Sequence, residues 1–260
     1  MSKSVLIEKE KNIAIITLNR PDRYNAVNQD LVDDINYCLS IAEKDENIRA
    51  IVLTGNGKGF CAGADMSVFG AKVTAEERKD YLIEQYQPLM NRFFSMDKPI
   101  IGAINGTAAG VGAAFALACD LRVMSKESAL LYAFVNIGLG PDGGASWLLA
   151  RQVGYSKAFE IAISGKKVFG EECYKLGLTN RIVDKEDVLN DAKKWAHELS
   201  IRPTLAIGIA KADMIYSMDN NLNDTIAFEA NKQVLAFNSY DLKEGVTAFI
   251  EKRPAKFLGK

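Results

Sequence analysis

The amino-acid sequence predicts an α/β fold, because strand-like and helix-like segments alternate over most of its length. Two apolar runs rich in β-branched residues, at 50–54 and 99–104, are each followed by a loop of glycine and alanine. Each loop then leads into a segment with a helical pattern. Of the 260 residues, 48% are hydrophobic and 25% are charged, which is typical of a globular protein with a large core.

The individual elements follow from the spacing of apolar residues. The segment from Val5 to Leu18 is predicted to form two strands joined by a turn at 9–12. Apolar residues three or four positions apart predict an amphipathic helix over 29–46. Further helices are predicted at 74–95, from the second loop through 118, and at 146–153, with strands at 50–54, 99–104, 121–124 and 129–132.

The pattern changes after about residue 185, because no convincing strand follows that point. Four helices are predicted in this part of the chain, at 186–200, 204–218, 222–238 and 242–252. We therefore expect residues 1–185 to form the core and residues 186–260 to form a helical region of the same functional unit.

Charge and cysteine content exclude several classes of function. The formal net charge of −1 gives no reason to expect a nucleic-acid or membrane partner. The four cysteines lie far apart and no secretory signal precedes the first strand, so we expect reduced thiols and a cytoplasmic location. The uncharged run 99–119 has glycines at the spacing of membrane helices, but its Pro, Asn and Thr residues favour a buried strand, turn and helix.

Little catalytic chemistry is available besides carboxylates and backbone amides. The single histidine, His197, lies within a helical pattern, and no cluster has metal-ligand spacing. The two glycine loops lack the complete nucleotide-binding motifs. Two strand-to-helix turns of small residues can aim two N–H groups at one oxygen, as an oxyanion requires, although tight packing of α/β units is the more common reason for such loops. Asp65, Asp120 and Asp142 lie near these turns, and a helix-cap role remains open for Asp65 and a helix-cap or turn role for Asp142.

Five segments, taken in order, resemble the enoyl-CoA hydratase/isomerase (crotonase) superfamily over nearly the whole chain. They are Leu18-Asn19-Arg20-Pro21 with Asn25-Ala26, Phe60-Cys61-Ala62-Gly63-Ala64-Asp65, Lys98-Pro99 to Gly112, Gly154 with Ala158, and Phe249-Ile250-Glu251-Lys252-Arg253-Pro254. The resemblance implies a crotonase-like spiral of ββα units with a C-terminal helical trimerisation region. It also implies a homotrimer or homohexamer, and an acyl-CoA thioester as substrate, with coenzyme A as part of that substrate and no separate cofactor.

The resemblance also assigns roles by position. It makes the backbone amides of Ala64 and Val111 the two oxyanion donors, although many relatives have glycine where this chain has Val111. It places along the coenzyme A the residues Arg23, Tyr24, Ala62, Gly63, Ala64, Asp65, Met66, Phe249 and Lys252. The last two resemble tail residues that reach a coenzyme A in the same or in an adjacent subunit.

The departures from the hydratase pattern are informative. Hydratases carry two glutamates, and the corresponding positions here hold Ala114 and Phe134. Asp142, directly after Pro141, instead resembles the lone acid of the Δ3-Δ2-enoyl-CoA isomerase and phenylacetate-pathway ring isomerase branch. We therefore expect Asp142 to move a proton while the double bond shifts from the 3- to the 2-position. Hydration, ring isomerisation, dehalogenation and a non-catalytic, CoA-binding or oligomeric module are the alternatives.

Overall fold

The computed structural model describes residues 3–67 and 73–260, and it confirms the α/β prediction. The main sheet has the strand order β1-β2-β3-β4-β6-β9. Its strands are β1 (Val5–Glu10), β2 (Ile13–Leu18), β3 (Ala50–Gly55), β4 (Ile100–Ile104), β6 (Leu121–Ser125) and β9 (Arg181–Val183). The first two strands form an antiparallel hairpin, and every later strand pairs in parallel with its neighbour.

A second, smaller sheet includes the second glycine loop. It contains β5 (Thr107–Ala109), β7 (Ala129–Leu131) and β8 (Lys167–Phe169) in that order. Strand β5 lies within the second glycine loop, and no strand is predicted there from the sequence. Its pairing with β7 gives the loop a fixed backbone path.

Helices cover both faces of the main sheet. They are α1 (Gln29–Lys44), α2 (Ala75–Tyr81), α3 (Gln87–Ser95), α4 (Val111–Ala118), α5 (Ala145–Val153), α6 (Tyr155–Ser164), α7 (Gly170–Lys175), α8 (Val188–Ser200), α9 (Thr204–Ser217), α10 (Leu222–Phe237) and α11 (Tyr240–Glu251). Helix α8 packs its buried alanines and Val188 on one face, and the larger part of the core, with α1, α3 and α4, lies on the other. Within the described ranges, no helix is long and apolar enough to cross a membrane.

The helix predicted at 74–95 is interrupted by a π-helical turn. Residues Leu82–Tyr86 separate α2 from α3, and the N–H of Gln87 donates five residues back to the carbonyl of Leu82. Pro88 follows at the start of α3 and has no N–H to continue the α-helical pattern. A π turn adds one residue to the helix and so changes which side chains share a face.

Two asparagines, one fully buried and one partly buried, hold the first glycine loop in place. Asn25 is fully buried, and its Nδ2 donates to the carbonyls of Asn56, Gly59 and Phe60 at 3.0–3.1 Å. Asn105 donates to the Gly55 carbonyl at 2.7 Å and accepts from the Gly55 N–H at 3.3 Å. The loop carbonyls therefore have donors although they lie outside regular structure.

The two glycine loops lie side by side. Cys61 forms a parallel bridge with Ala108, and the Ala109 N–H donates to the Cys61 carbonyl at 2.8 Å. On its other side, the first loop forms a parallel bridge between Ala64 and Val27. The first loop therefore runs as a short strand between Val27 and the second loop.

Gly63 stands at the closest approach of the loops. Its φ is +89°, and a Cβ placed there would lie 2.8 Å from the Ala109 carbonyl oxygen. A side chain at this position would meet backbone rather than a flexible group, so only glycine fits without moving one loop.

We predict that Asn25→Asp destabilises the protein by about 3 kcal/mol or more, because a carboxylate would face three carbonyls that have lost their shared donor. The free energy of unfolding from urea titration measures this. The control is Asn220→Asp, since Asn220 is exposed and donates to one helix carbonyl. An equal loss in both variants would contradict the role given to Asn25.

Gly63→Ala is predicted to destabilise the protein more than Gly177→Ala. Both glycines have a left-handed φ, +89° and +75°, but a Cβ at Gly177 has no atom within 4 Å. The control should therefore lose only the backbone strain of about 1–2 kcal/mol. If Gly63→Ala and Gly177→Ala had equal midpoints of thermal unfolding, the loops would accommodate a side chain at position 63 with no additional loss of stability.

Candidate active site

A cavity of about 160 Å³ lies where the two glycine loops meet the segment 133–142. Small residues of both loops form one side of it, and larger apolar side chains form the other. Its lining consists of Ala62, Gly63, Ala64, Met66, Gly110, Val111, Ala133, Phe134, Asn136, Ile137, Leu139 and Asp142. The cavity therefore brings together the three residues that the sequence singled out from separate segments, Ala64, Val111 and Asp142.

The N–H of Ala64 points away from Val27, the residue that pairs with the first loop on one side. The Val27 N–H donates to the Gly63 carbonyl at 2.7 Å, and the Asp65 N–H donates to the Val27 carbonyl at 2.9 Å. Because Val27 bonds to the residues on either side of Ala64, the N–H of Ala64 points in the opposite direction. Within the described part of the chain, it donates to no backbone carbonyl.

The Val111 amide is the first of helix α4. Gly110 precedes it with a φ of +54°, and the Gly110 N–H donates to the Leu131 carbonyl of β7 at 2.9 Å. The first N–H groups of a helix have no acceptor within the helix, and the helix dipole gives them added positive character. Ala64 and Val111 thus line one cavity, and each has a backbone N–H without a backbone acceptor among the described residues. Two such donors directed at one oxygen are the arrangement that stabilises an oxyanion.

The side chain of Val111 is buried against the loop that carries Asp142. A Cβ placed on Gly143 would lie 2.8 Å from Cγ2 of Val111. Gly143 also has a φ of +59°, a left-handed conformation that favours glycine. Position 143 therefore requires glycine for its backbone conformation and for the space that Val111 occupies. The valine is accommodated because the neighbouring residue has no side chain.

The carboxyl group of Asp142 is largely buried. Its side chain is 17% exposed, and its Oδ1 atom is buried with no hydrogen-bond partner among the described residues. Asp142 does not cap helix α5, because the N-cap residue is Gly144 and no side chain accepts there. The capping alternative left open by the sequence is therefore wrong for Asp142.

The other carboxyl oxygen, Oδ2, is paired with Arg78 of helix α2 at 3.0 Å. Burial raises the pKa of Asp142 above its ordinary value, and the Arg78 guanidinium partly opposes that rise. A carboxyl with a raised pKa is a stronger base when ionised, and such groups are common in active sites.

Other polar residues suggested by the sequence are engaged elsewhere. Asp65 accepts from the Ser67 N–H and hydroxyl and pairs with Arg20 at 2.9 Å, and the Ser67 contacts are the main reason that its pKa is lowered. Asp120 pairs with Lys211 at 3.0 Å, away from the cavity. Burial raises the pKa of the Cys61 thiol to about 12, so this thiol is inert.

Residues assigned to the coenzyme A by resemblance lie at different distances from the cavity. Arg23 and Tyr24 are exposed beside the first loop, where the Tyr24 carbonyl accepts from the Ala62 N–H at 2.9 Å. Phe249 and Lys252 lie at the exposed end of α11 and do not line the cavity of their own chain.

A second cavity, of about 410 Å³, borders the Asp142 loop. The backbone at Gly143 and Gly144 forms part of its wall, together with the apolar side chains Leu82, Met90, Phe94, Trp147, Leu148 and Ile215. An apolar group that reaches Asp142 therefore has hydrophobic space close by.

Arg78 is the site residue that sequence reasoning missed. It lies in the charged run Glu76-Glu77-Arg78-Lys79-Asp80, which has the composition of a solvated helix face. Nothing in that run distinguishes Arg78 from Lys79, since the distinction depends on which side of α2 faces a loop 64 residues further along the chain.

Comparison with known proteins shows the family of the chain. Residues 8–260 match the family model described as enoyl-CoA hydratase/isomerase. The chain is 36% identical to the 1,2-epoxyphenylacetyl-CoA isomerase of Escherichia coli K12, over 100% of both chains. It is 32% identical to the short-chain-enoyl-CoA hydratase of Clostridium acetobutylicum, over 96% of this chain and 95% of that one.

The fold is similar to solved structures of the same kind. The enoyl-CoA hydratase from Polaromonas sp. JS666 has a TM-score of 0.92 and 30% identity, over 97% of this chain and 99% of that one. Since the family model, the relatives and the fold agree over nearly the whole length, the chain belongs to the enoyl-CoA hydratase/isomerase family of the crotonase superfamily.

Proposed function

We propose that this protein is an enoyl-CoA isomerase that moves a carbon–carbon double bond from the 3- to the 2-position of an acyl-CoA thioester. The observation that carries the proposal is the lining of the smaller cavity. Among the described residues, Asp142 is the only carboxylic acid that lines it, and it shares the cavity with the Ala64 and Val111 amides. Isomerisation needs one acid–base group that acts twice, and one is available.

The first step is removal of a proton from C2 of a 3-enoyl-CoA. Asp142 takes this proton, and the electron pair of the C–H bond forms a double bond between C1 and C2. The thioester oxygen then carries the negative charge of a dienolate. The N–H groups of Ala64 and Val111 donate to that oxygen, and the loss of one such donor typically lowers the rate by about 100- to 1000-fold.

The second step returns the same proton at C4. The electrons between C3 and C4 form the new bond to hydrogen, the double bond moves to C2 and C3, and the thioester carbonyl is restored. One carboxyl group suffices, because the acid of the second step is the protonated base of the first. The raised pKa of Asp142 favours the first step, since it makes the carboxylate a better base for a carbon acid.

Hydration is less well supported by these residues. Addition of water across a double bond needs groups that position and deprotonate water and that protonate carbon. Ala114 is buried in helix α4, and Phe134 presents an aromatic ring to the cavity, where the family resemblance expects glutamates. Asp142 would have to perform all of these tasks alone.

A second candidate is the isomerisation of a ring epoxide on an arylacetyl-CoA. It is favoured by the 36% identity to the 1,2-epoxyphenylacetyl-CoA isomerase. Such a substrate would place its thioester oxygen on the same two amides and its acidic carbon beside the same carboxylate. Incubation with a 3-enoyl-CoA and with the epoxide, followed by identification of the products, separates the two candidates.

The proposal includes a path for the coenzyme A and a cytoplasmic location. The pantetheine would follow the first loop from Ala62 to Met66, and the nucleotide would lie near Arg23 and Tyr24. Phe249 is 85% exposed at the end of α11, where it would contact the coenzyme A of a neighbouring subunit together with Lys252.

We predict self-association into a homotrimer or homohexamer. Large apolar side chains on α10 and α11, such as Leu222, Phe237 and Ile250, are more than 70% exposed, and a soluble monomer seldom exposes so many. Light scattering during size-exclusion chromatography should give the mass of three or six chains. The mass of a single chain would contradict the prediction.

Asp142→Asn is predicted to abolish isomerisation while acyl-CoA binding is retained, because the amide keeps the shape of the side chain but cannot accept the proton. Conversion of 3-enoyl-CoA to 2-enoyl-CoA, followed by absorbance of the conjugated product, measures the rate. Calorimetry with a saturated acyl-CoA measures binding. A loss of at least about 1000-fold in kcat is expected from removal of an essential base.

The matched control is Asp80→Asn, since the Asp80 side chain is 58% exposed on the helix that carries Arg78. It should have the parent rate. An Asp142→Asn variant with the parent rate would refute the role of Asp142. A parent protein that binds acyl-CoA but converts neither enoyl isomer nor the epoxide would support the non-catalytic alternative.

A further inference from the structure

We propose that Arg78 is a positioning residue that keeps the Asp142 carboxyl ionised inside its apolar wall and leaves Oδ1 as the oxygen that accepts the proton. This inference rests on the proposed function, because it assigns a task to a residue that would act through Asp142. It is carried by the contact between the two side chains and by the way in which helix α2 presents the guanidinium.

The contact joins two largely buried groups from distant parts of the chain. Nη2 of Arg78 lies 3.0 Å from Oδ2 of Asp142, and the side chains are 23% and 17% exposed. At this distance the pair is a charge-assisted hydrogen bond, which is stronger than a neutral one. Solvent screens such a pair less than it screens an exposed one.

Two tyrosine rings flank the guanidinium of Arg78. Its central carbon lies 5.4 Å from the ring centroid of Tyr81 and 5.6 Å from that of Tyr86. The two rings meet edge to face, with their centroids 5.3 Å apart. Aromatic faces attract a guanidinium, so the rings restrict the position from which Arg78 reaches Asp142.

The π-helical turn explains how both rings reach the same cation. Tyr81 and Tyr86 are five residues apart, and in a continuous α-helix such residues point well away from each other. In the π turn at Leu82–Tyr86, the hydrogen bonds join residues that are five positions apart in the chain. Residues with this spacing point in similar directions, so Tyr86 lies on the same side of the helix as Tyr81. The irregularity of the helix therefore has a consequence at the site.

The two oxygens of Asp142 have different surroundings. Oδ2 is held by Arg78, whereas Oδ1 is buried and has no partner among the described residues. A buried carboxylate oxygen without a donor is costly to maintain, and it accepts a proton more readily than an oxygen that is already hydrogen-bonded to a cation. Arg78 thus decides which oxygen remains available.

The electrostatic balance at Asp142 involves few groups. Among the described residues, the charged or titratable side chains that face it are Arg78 from α2 and Tyr86 from the π turn. Burial raises the pKa of Asp142, and Arg78 lowers it. Burial also raises the pKa of Tyr86, which keeps that side chain neutral. Removal of Arg78 therefore leaves burial unopposed, and the pKa of Asp142 rises further.

The test is the pH dependence of kcat/KM for 3-enoyl-CoA in the parent and in Arg78→Gln. A base must be ionised to act, so activity rises with pH through the pKa of Asp142. We expect the acidic limb of the kcat/KM profile to lie about 1–3 pH units higher in Arg78→Gln than in the parent. This is the usual effect on a pKa of one close opposite charge. Arg78→Lys retains a cation and should have a limb between these two.

The matched control is Arg92→Gln. Arg92 lies on α3, where it pairs with Glu43 at 3.8 Å and donates to the Asn36 carbonyl, and it makes no contact with Asp142. Its acidic limb should equal that of the parent. A role of Arg78 limited to helix stability would lower the rate at every pH and leave the limb in place, which would overturn the proposal.

A direct titration separates failure of this inference from failure of the proposed function. Carbon-13 NMR of carboxyl-labelled aspartate, with the Asp142 signal identified by its loss in Asp142→Asn, reports the pKa without any turnover. An upward shift in Arg78→Gln supports the pairing even if no isomerase activity is found. An unchanged midpoint in a folded Arg78→Gln variant refutes it.

Discussion

The close approach of two backbone segments is the constraint on which the candidate site depends. The loop at Gly63 lies against the carbonyl of Ala109, and neither segment has a side chain at this point that would hold them apart. Among the described residues, the amides of Ala64 and Val111 have no backbone acceptor, and both residues line one cavity. Glycine and alanine are therefore needed here because larger side chains would keep the two backbones apart. Their side chains carry no reactive group.

The position of Asp142 reflects a balance of opposing effects. Burial makes the carboxylate a better base but also favours its neutral form, which cannot act as a base. The neighbouring guanidinium of Arg78 favours the charged form, and the next residue of the loop, Gly143, packs closely against the Val111 side chain. Under the proposed function, the one acid that lines the cavity among the described residues is thus kept reactive without a second carboxylate, in contrast to the two glutamates that the family resemblance gives to hydratases.

Much of the fold could be predicted from local pattern. The hairpin, the parallel strands and the helices of the C-terminal part have clear periodicity, and the structure contains them close to the predicted bounds. The interruption of the helix at 82–86 and the short strand Thr107–Ala109 were not predicted. The strand forms because β7 lies beside it in the second sheet. The π turn forms beside a proline within an otherwise favourable helical pattern.

The sequence by itself determined the class of fold and the two small-residue loops, because these features are written in residue type and spacing, and the family resemblance of its motifs singled out Asp142 as the acid to examine. Only the tertiary structure decided that the two loops meet, that Asp142 is buried rather than a helix cap, and that Arg78 pairs with it. These are contacts between segments far apart in the chain, and no local pattern encodes which side of a charged helix will face a distant loop.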